Sequence, residues 1–250
     1  MLRGSSYNSV DDRAQISEFL KSGVDGLIVA PTISDATGHA LVRWLDTLST
    51  PVVLVERTIP DDLLTQRLES VSTDHAYGAG LAIRHLHAEG HQRIGILLPP
   101  GSPTSKHIGR GWYQACTQLG LSTDESLKGD SVGFNSPDRE TVMAETLERI
   151  RSTGTTALLV HSDPEAIALL QYCADQGVSV PDDLAIVAYD DEVASLGHPP
   201  LSAVRPPKQH VGRVAVESLL ARLYEGNKRP IHRVQLNPQL VIRLSSRRIP

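Results

Sequence analysis

The sequence is poor in cysteine, in aromatic residues and in long apolar segments. Two cysteines, Cys116 and Cys173, occur among 250 residues. Neither lies in a CxxC or Cys/His pattern, so we expect two reduced thiols packed in the interior, and no disulfide framework or zinc site. No apolar run approaches the roughly 20 residues that a membrane helix needs, and no apolar core of a secretory signal follows Met1. These absences predict a cytoplasmic protein without membrane association.

Local signatures of catalysis are also missing. The sequence contains no GxSxG, GxxxxGK[ST], HExxH or GxGxxG motif, so hydrolase, nucleotidase, zinc-protease and dinucleotide-binding classes lack support. His85, His87 and His91 are close in sequence, but residues two apart point to different sides of a helix. Imidazoles near a helix C-terminus are explained by the negative end of its dipole. We therefore expect no enzymatic activity, no cofactor and no metal site.

The charge balance is acidic. The chain has 24 basic and 29 acidic residues, which gives a formal net charge of −5. A domain that binds DNA by itself normally carries a basic face or helix. The one basic cluster, Arg243, Arg247 and Arg248, is interpreted as a solvated tail. The sequence thus predicts no direct contact of this chain with nucleic acid.

What the sequence does contain is an alternation of short apolar runs with helical patterns, which is typical of parallel sheets with crossover helices. The predicted strands are Gly26–Ala30, Val52–Val55, Ile94–Leu98, Ala157–Val160 and Leu184–Ala188. The predicted helices are Asp11–Ser22, Asp35–Leu48, Ala76–Glu89, Ser105–Leu119, Asp138–Arg151 and Pro164–Gln176, and a last one runs through Val214 and Leu223. The fold class is therefore α/β.

Proline and glycine clusters divide this pattern at three places, Pro99-Pro100-Gly101, Arg205-Pro206-Pro207 and Asn237-Pro238. We interpret them as passages of the chain between two lobes. The expected lobes are residues 1–100 plus 206–237, and residues 101–205 plus 238–250.

Polar residues follow several predicted strands, where open parallel sheets bind ligands. They are Pro31-Thr32, Glu56-Arg57, the Pro103–Ser105 loop, Ser162-Asp163 and Asp190-Asp191. A carboxylate at the end of a strand, such as Asp190, can accept hydrogen bonds from adjacent hydroxyls of a sugar or polyol. Asp163 is equally a helix cap, and Phe134 and Trp112 are either stacking partners or core residues.

Five segments resemble the effector-binding core of LacI-type transcriptional regulators. They are GVDGLIVAP (Gly23–Pro31), the segment Val71–Leu97, GWYQACTQLGL (Gly111–Leu121), VPDDLAIVAYDD (Val180–Asp191) and HPPLSAVRPP (His198–Pro207). The resemblance implies a periplasmic-binding-protein type I fold with two Rossmann-like lobes, and a small effector that is a sugar, a polyol or a nucleobase-like molecule. It also implies a homodimer, and operator DNA bound through a separate helix-turn-helix headpiece.

The resemblance also assigns site residues. Asp190 matches the Asp of the cleft and is the expected hydroxyl acceptor; Phe134 matches an aromatic residue that covers the ligand. Thr104, Ser6 and Asp74 also match positions of the family's site, with helix capping as an equal explanation for Asp74, and Ser162 occupies a further position of that site.

Three positions depart from the family pattern. Ile108 stands where sugar-binding members carry Arg, Ser162 replaces an Asn, and Pro206 replaces a Gln. Losing a guanidinium and two amides removes polar recognition, so the family's sugar pose does not transfer directly. His107, Arg110 and His161 are the residues that could compensate.

The sequence also begins later than the family pattern, without the headpiece and the first strand and helix of the core, which we expect to leave an apolar face exposed. Two alternatives to the regulator core remain: a stand-alone solute-binding protein of a transporter, and a non-functional truncated fragment.

Overall fold

The computed structural model describes residues 9–33, 36–59, 62–63, 65–133 and 136–247. The chain forms two compact units. Unit 1 comprises Met1–Thr73 with Pro207–Leu236, and unit 2 comprises Asp74–Pro206 with Asn237–Pro250.

Strands and helices alternate through most of the chain. In chain order they are α1 (Ser9–Lys21), β1 (Leu27–Val29), α2 (Ala36–Asp46), β2 (Val52–Val55), β3 (Glu69–Thr73), α3 (His75–Ala88), β4 (Ile94–Leu98), α4 (Pro103–Gln118), β5 (Lys128–Asp130), α5 (Arg139–Thr153), β6 (Ala157–His161), α6 (Asp163–Asp175), β7 (Ala185–Tyr189), β8 (Ser202–Arg205), α7 (Lys208–Glu225), β9 (Arg233–Leu236) and β10 (Gln239–Val241). Within the described ranges, no helix combines the length and the apolarity needed to cross a bilayer.

Unit 1 is built on a parallel sheet of order β1-β2-β3-β9. Successive residues of a strand point to opposite faces, so Leu54 packs with α1 and α2 on one face, and Val53 packs with α7 on the other. Both faces of β2 are thereby buried, which explains its uninterrupted apolar sequence.

Unit 2 is built on a sheet of order β10-β8-β7-β6-β4-β5, in which β10 alone runs antiparallel to its neighbour. Ile186 and Val187 illustrate its two cores: Val187 packs with α3 and α4, and Ile186 with α5 and α6. Trp112 belongs to the first core, is fully buried, and donates its Nε1–H to the carbonyl oxygen of Ile94 at 2.9 Å. It is a core residue and no stacking partner for a ligand.

The α/β fold predicted from the sequence is confirmed, and every predicted strand and helix is present. The two cysteines are confirmed as free and buried, and burial raises the pKa of each thiol to about 11.

The first passage between units differs from the expectation at residues 99–101. Strand β4 is hydrogen-bonded to β6 and β5 in the sheet of unit 2, so the chain leaves unit 1 after Thr73, and the lobe boundary at residue 100 is wrong. The Pro-Pro-Gly segment is instead the turn from β4 to α4, in which Gly101 has φ +75°. The later passages follow Pro206 and Leu236, within one residue of the expected positions.

Candidate functional site

Three neighbouring parallel strands of unit 2, β4, β6 and β7, end at the same edge of the sheet. The residues at these ends, and the first turns of the helices that follow, carry polar side chains. This edge is where open α/β sheets bind ligands, and we call it the strand-end face of unit 2.

Asp190 lies directly after β7. Its backbone has φ +107°, and its N–H donates to the carbonyl oxygen of Val204 at 2.9 Å, so the chain turns sharply while the strand pairing continues. The side chain is 28% exposed, and Oδ2 lies 3.8 Å from Nε2 of His161. A partly exposed carboxylate in a fixed turn is suited to accept hydroxyl hydrogens from a ligand.

Asp191 has a different role from its neighbour. Its side chain is 1% exposed, with Oδ2 2.6 Å from Nη2 of Arg205 and Oδ1 2.8 Å from Nη1 of Arg243. These ion pairs tie the end of β7 to β8 and to the segment after β10. Asp191 is therefore a structural residue, and Asp190 is the more exposed of the two adjacent carboxylates.

Asp163, at the start of α6, fixes the same loop. Its carboxylate is fully buried and accepts hydrogen bonds from the N–H groups of Asp191, Glu192 and Val193, at 3.2, 2.6 and 3.0 Å. Burial raises the pKa of Asp163, and the three N–H donors oppose that shift. Asp163 is thus neither exposed to a ligand nor a simple helix cap, because its carboxylate holds the loop that follows Asp190.

An aromatic and imidazole cluster lies beside Asp190. The Tyr189 side chain is buried, with Oη 3.0 Å from Nδ1 of His75. The ring of His161 meets the Tyr189 ring edge-on with centroids 5.6 Å apart, and the hydroxyl of Ser131 donates to the His161 carbonyl oxygen at 2.9 Å. The sequence named His161 as a residue that could compensate for lost polar groups, and the structure brings it next to Asp190.

The start of α3 and the first half of α4 add charged groups. Asp74 caps α3 by accepting the N–H of Tyr77 at 2.9 Å, so its capping role is confirmed. His107 in α4 is half-buried; its pKa is lowered by burial, by Arg110 and by His75, and is raised by Asp74. Asp74, His75 and Arg110 are thus the groups whose charges act on His107.

The remaining predicted residues are placed as follows. Ser162 donates its N–H and its hydroxyl to the Glu165 carboxylate in a capping box of α6. Thr104 is half-buried in the first turn of α4. Ile108, which replaces the family's Arg, is fully buried in the core of unit 2. Phe134 and Ser6 lie outside the described residues.

Polar groups at the strand ends of unit 1 bind one another. The carboxylate of Asp12 accepts the N–H of Thr32 at 2.8 Å, and that of Glu56 accepts the N–H and the hydroxyl of Thr73 at 3.0 and 2.8 Å. Arg57 donates Nε–H to the carbonyl oxygen of Pro31 at 2.7 Å. These bonds join the ends of β1, β2 and β3. Sequence reasoning missed the roles of Asp12 and Thr73, which no local pattern reveals.

The three imidazoles of the HLHAEGH segment have different hydrogen-bond partners. Nε2 of His85 is 2.8 Å from Oγ of Ser246, and Nδ1 of His91 is 2.9 Å from Oγ1 of Thr156. Among the described residues, no group of three or more His, Cys, Asp or Glu side chains is arranged to hold a metal ion.

The chain is similar in sequence to known proteins over nearly its whole length. Residues 83–246 match the sequence profile of a family described as periplasmic binding protein-like domain. The HTH-type transcriptional regulator GalR of Escherichia coli (strain K12) is 30% identical over 254 residues, covering 98% of this chain and 69% of that protein.

Solved structures give the same result. A regulatory protein of the LacI family from Chloroflexus aggregans superposes with a TM-score of 0.81 at 27% identity, covering 98% of this chain and 84% of that one. The complex of the transcriptional regulator CelR with cellobiose superposes with a TM-score of 0.80 at 26% identity, covering 95% and 71% of the two chains. Each of these three relatives is named as a regulatory protein.

Proposed function

The chain belongs to the family of LacI-type transcriptional regulators and contains their periplasmic binding protein-like domain, and on that premise we propose that it is the effector-binding and dimerisation core of such a regulator. The effector is a small polar molecule, of the sugar, polyol or nucleobase class, bound at the strand-end face of unit 2. Binding involves no covalent chemistry.

The observation that supports this proposal most is the contrast between the two carboxylates after β7. Asp191 and Asp163 are buried and hold the loop, whereas Asp190 has a partly exposed carboxylate beside His161. A hydrogen-bond acceptor held in place by a buried network is pre-organised for a ligand, because little entropy is lost on binding. CelR, a relative with the same fold, was solved in complex with cellobiose.

Operator binding then belongs to a separate helix-turn-helix domain, because a formal charge of −5 gives this chain no net attraction for DNA phosphates. Effector binding and operator binding are coupled, and the coupling is reciprocal: the factor by which effector changes operator affinity equals the factor by which operator changes effector affinity. The full-length dimer is the form in which this coupling is measured.

The test is calorimetric titration of the protein with sugars, polyols and nucleobases selected by thermal shift. For a ligand that binds, Asp190→Asn should weaken affinity roughly 100-fold, because hydrogen bonds to a charged acceptor contribute about 1.5–3 kcal/mol each. The matched control is Asp182→Asn, which removes an exposed carboxylate on the turn before β7. Equal affinity in Asp190→Asn and Asp182→Asn would show that Asp190 does not contact the effector.

A further inference from the structure

The three passages between the units begin at neighbouring places in unit 2. The chain enters unit 2 at Asp74, leaves it after Pro206 and returns at Asn237. Strand β8, which precedes the second passage, pairs with β10, which follows the third, so that Val204 lies opposite Leu240. Helix α3, which follows the first passage, packs against both strands. The unit-2 ends of the three passages are therefore one packed group.

Gly78, in the first turn of α3, is the point at which these ends meet. A Cβ on Gly78 would lie 2.7 Å from Cγ of Pro238, 2.8 Å from Oη of Tyr189 and 3.0 Å from Cγ1 of Val204. Pro238 belongs to the chain that returns at the third passage, and Val204 to the strand that leads to the second. The side chain of Tyr189, the last residue of β7, is thus packed into the group.

Tyr189 is also hydrogen-bonded to the chain beside the first passage. Its side chain is fully buried, and Oη lies 3.0 Å from Nδ1 and 3.5 Å from the carbonyl oxygen of His75. A phenolic hydroxyl can donate one hydrogen bond and accept another. His75 directly follows Asp74, so the end of β7 is fixed to the first residue pair of unit 2 after the passage.

The residue on the other side of Asp190 is attached beside the second passage. Oδ2 of Asp191 lies 2.6 Å from Nη2 of Arg205, which directly precedes Pro206. Oδ1 of the same carboxylate lies 2.8 Å from Nη1 of Arg243, in the segment that follows β10. Asp190 therefore lies between two residues that are each bonded to the chain leading to or from unit 1.

We infer that Tyr189 and Asp191 are positioning residues, which link the effector site at Asp190 to the three passages. The hydrogen bond between Tyr189 and His75 is the link to the first passage. The inference rests on the proposed function and adds the residues through which an occupied site acts on the passages. A ligand shifts a conformational equilibrium only if it interacts differently with the two states. A ligand held by Asp190 bears on both neighbours, and through them on the passages, where the two states differ.

A purely structural role for Tyr189 would have a different consequence. A side chain that only stabilises unit 2 lowers stability when it is truncated, whatever the state of Asp190. A linking side chain transmits a change at Asp190 to the passages, and its loss uncouples the two places. The discriminating measurement is therefore the response of the passages to a change at Asp190.

The first experiment needs no ligand. Hydrogen exchange is measured by mass spectrometry on the full chain for the wild type, Asp190→Asn, Tyr189→Phe and the double variant. Asp190→Asn removes the charge and keeps the shape of the side chain. The reporters are the amides of Tyr77 and Gly78, which donate to the side chain and to the carbonyl oxygen of Asp74 beside the first passage.

We expect Asp190→Asn to change the exchange rate of these amides at least about twofold, because residues within one hydrogen-bond network couple at this level or above. In the Tyr189→Phe background the same substitution should have no effect. Tyr113→Phe, which removes an exposed hydroxyl from α4, is the matched control and should leave the response intact. A response that is absent in the wild type, or that persists in Tyr189→Phe, overturns the inference.

The hydrogen bond itself is tested by a second pair of variants. Tyr189→Phe and His75→Phe each remove one partner and keep a ring in place. If both act through one bond, each should raise the exchange rate of the reporter amides about two- to tenfold, and the double variant should raise it no further. Additive effects would show that the two residues act separately, and would overturn the link to the first passage.

A bound ligand tests the same link from the effector site. Cellobiose, and each sugar, polyol or nucleobase that binds in the calorimetric titration, is added at a concentration that saturates each variant. We expect the ligand to slow exchange of the reporter amides at least about twofold in the wild type and in Tyr113→Phe, but not in Tyr189→Phe.

The two proposals fail in different ways. Equal slowing by ligand in the wild type and in Tyr189→Phe overturns the link and leaves the proposed function standing. If no compound of any class binds the wild-type protein, the proposed function fails, and the exchange measurements without ligand still decide whether Tyr189 links Asp190 to the passages.

Discussion

Removing the Asp191 ion pairs would measure how much they contribute to the stability of the strand-end face. Asp191→Ala removes the acceptor shared by Arg205 and Arg243 and leaves the neighbouring Asp190 side chain in place. Breaking a buried pair is destabilising because one partner keeps its charge in a poorly solvated position.

The expected loss of unfolding free energy follows from how exposed each of the two arginine side chains is. The side chain of Arg205 is 50% exposed, so water solvates it after the substitution, and its share is about 0–1 kcal/mol. The side chain of Arg243 is 18% exposed; a fully buried pair costs about 3–5 kcal/mol to break, and we reduce this to about 2–3 kcal/mol. We therefore expect Asp191→Ala to lower the free energy of unfolding of unit 2 by about 3 kcal/mol.

The assay is urea unfolding followed by tryptophan fluorescence. The chain has two tryptophans, Trp44 in unit 1 and the buried Trp112 in unit 2, so a Trp44→Phe background reports on unit 2 alone. The comparison variant is Arg205→Met, expected to cost at most about 1 kcal/mol. The double variant Asp191→Leu/Arg243→Met should regain most of the loss, because no buried charge is left without its partner.

One result would refute this reasoning. If Asp191→Ala and Arg205→Met destabilise unit 2 equally, the half-buried Arg243 contributes nothing to the cluster. Repeating the measurement in about 1 M salt separates the two contributions, since salt screens the exposed Arg205 far more than Arg243.

The order of strands and helices could be predicted from the sequence, because most strands of this fold are buried on both faces and therefore appear in the sequence as continuous apolar runs. Strand β3 escaped prediction for the opposite reason. Its sequence, Glu-Ser-Val-Ser-Thr, is mostly polar, yet all five residues are buried. Glu69 is tolerated there because Arg222 and Arg229, more than 150 residues later, supply its ion pairs. No local window contains that information.

The roles of the residues in the candidate site also depend on contacts that a local window of sequence does not contain. The resemblance indicated Asp190, and its position after an apolar strand supports the choice, but sequence alone gives no reason to treat Asp191 differently. The difference arises from Arg205 and Arg243, which are 14 and 52 residues further along the chain. Likewise, His75 and Tyr189 meet across 114 residues. Helix caps such as Asp74 were predictable, because a cap is a local interaction.

Two further predictions concern the packing of α4 and the protonation of α3. Gly111→Ala should destabilise unit 2 by about 1–3 kcal/mol in urea unfolding, because a Cβ there would collide with the backbone of Ala76. Gly109→Ala should be neutral or stabilising by up to about 1 kcal/mol, because the nearest atom to its Cβ is 3.5 Å away. A smaller cost for Gly111→Ala than for Gly109→Ala would contradict the contact. Burial, opposed by Glu89, lowers the pKa of His85, so the unfolded chain binds more protons than the folded one below the ordinary histidine pKa of about 6.5. Stability should therefore fall as pH drops below that value, and His85→Gln should reduce the fall when unfolding free energies are compared between pH 7.5 and 5.5. An unchanged pH dependence in the variant would show that His85 is as readily protonated in the folded chain as in the unfolded one.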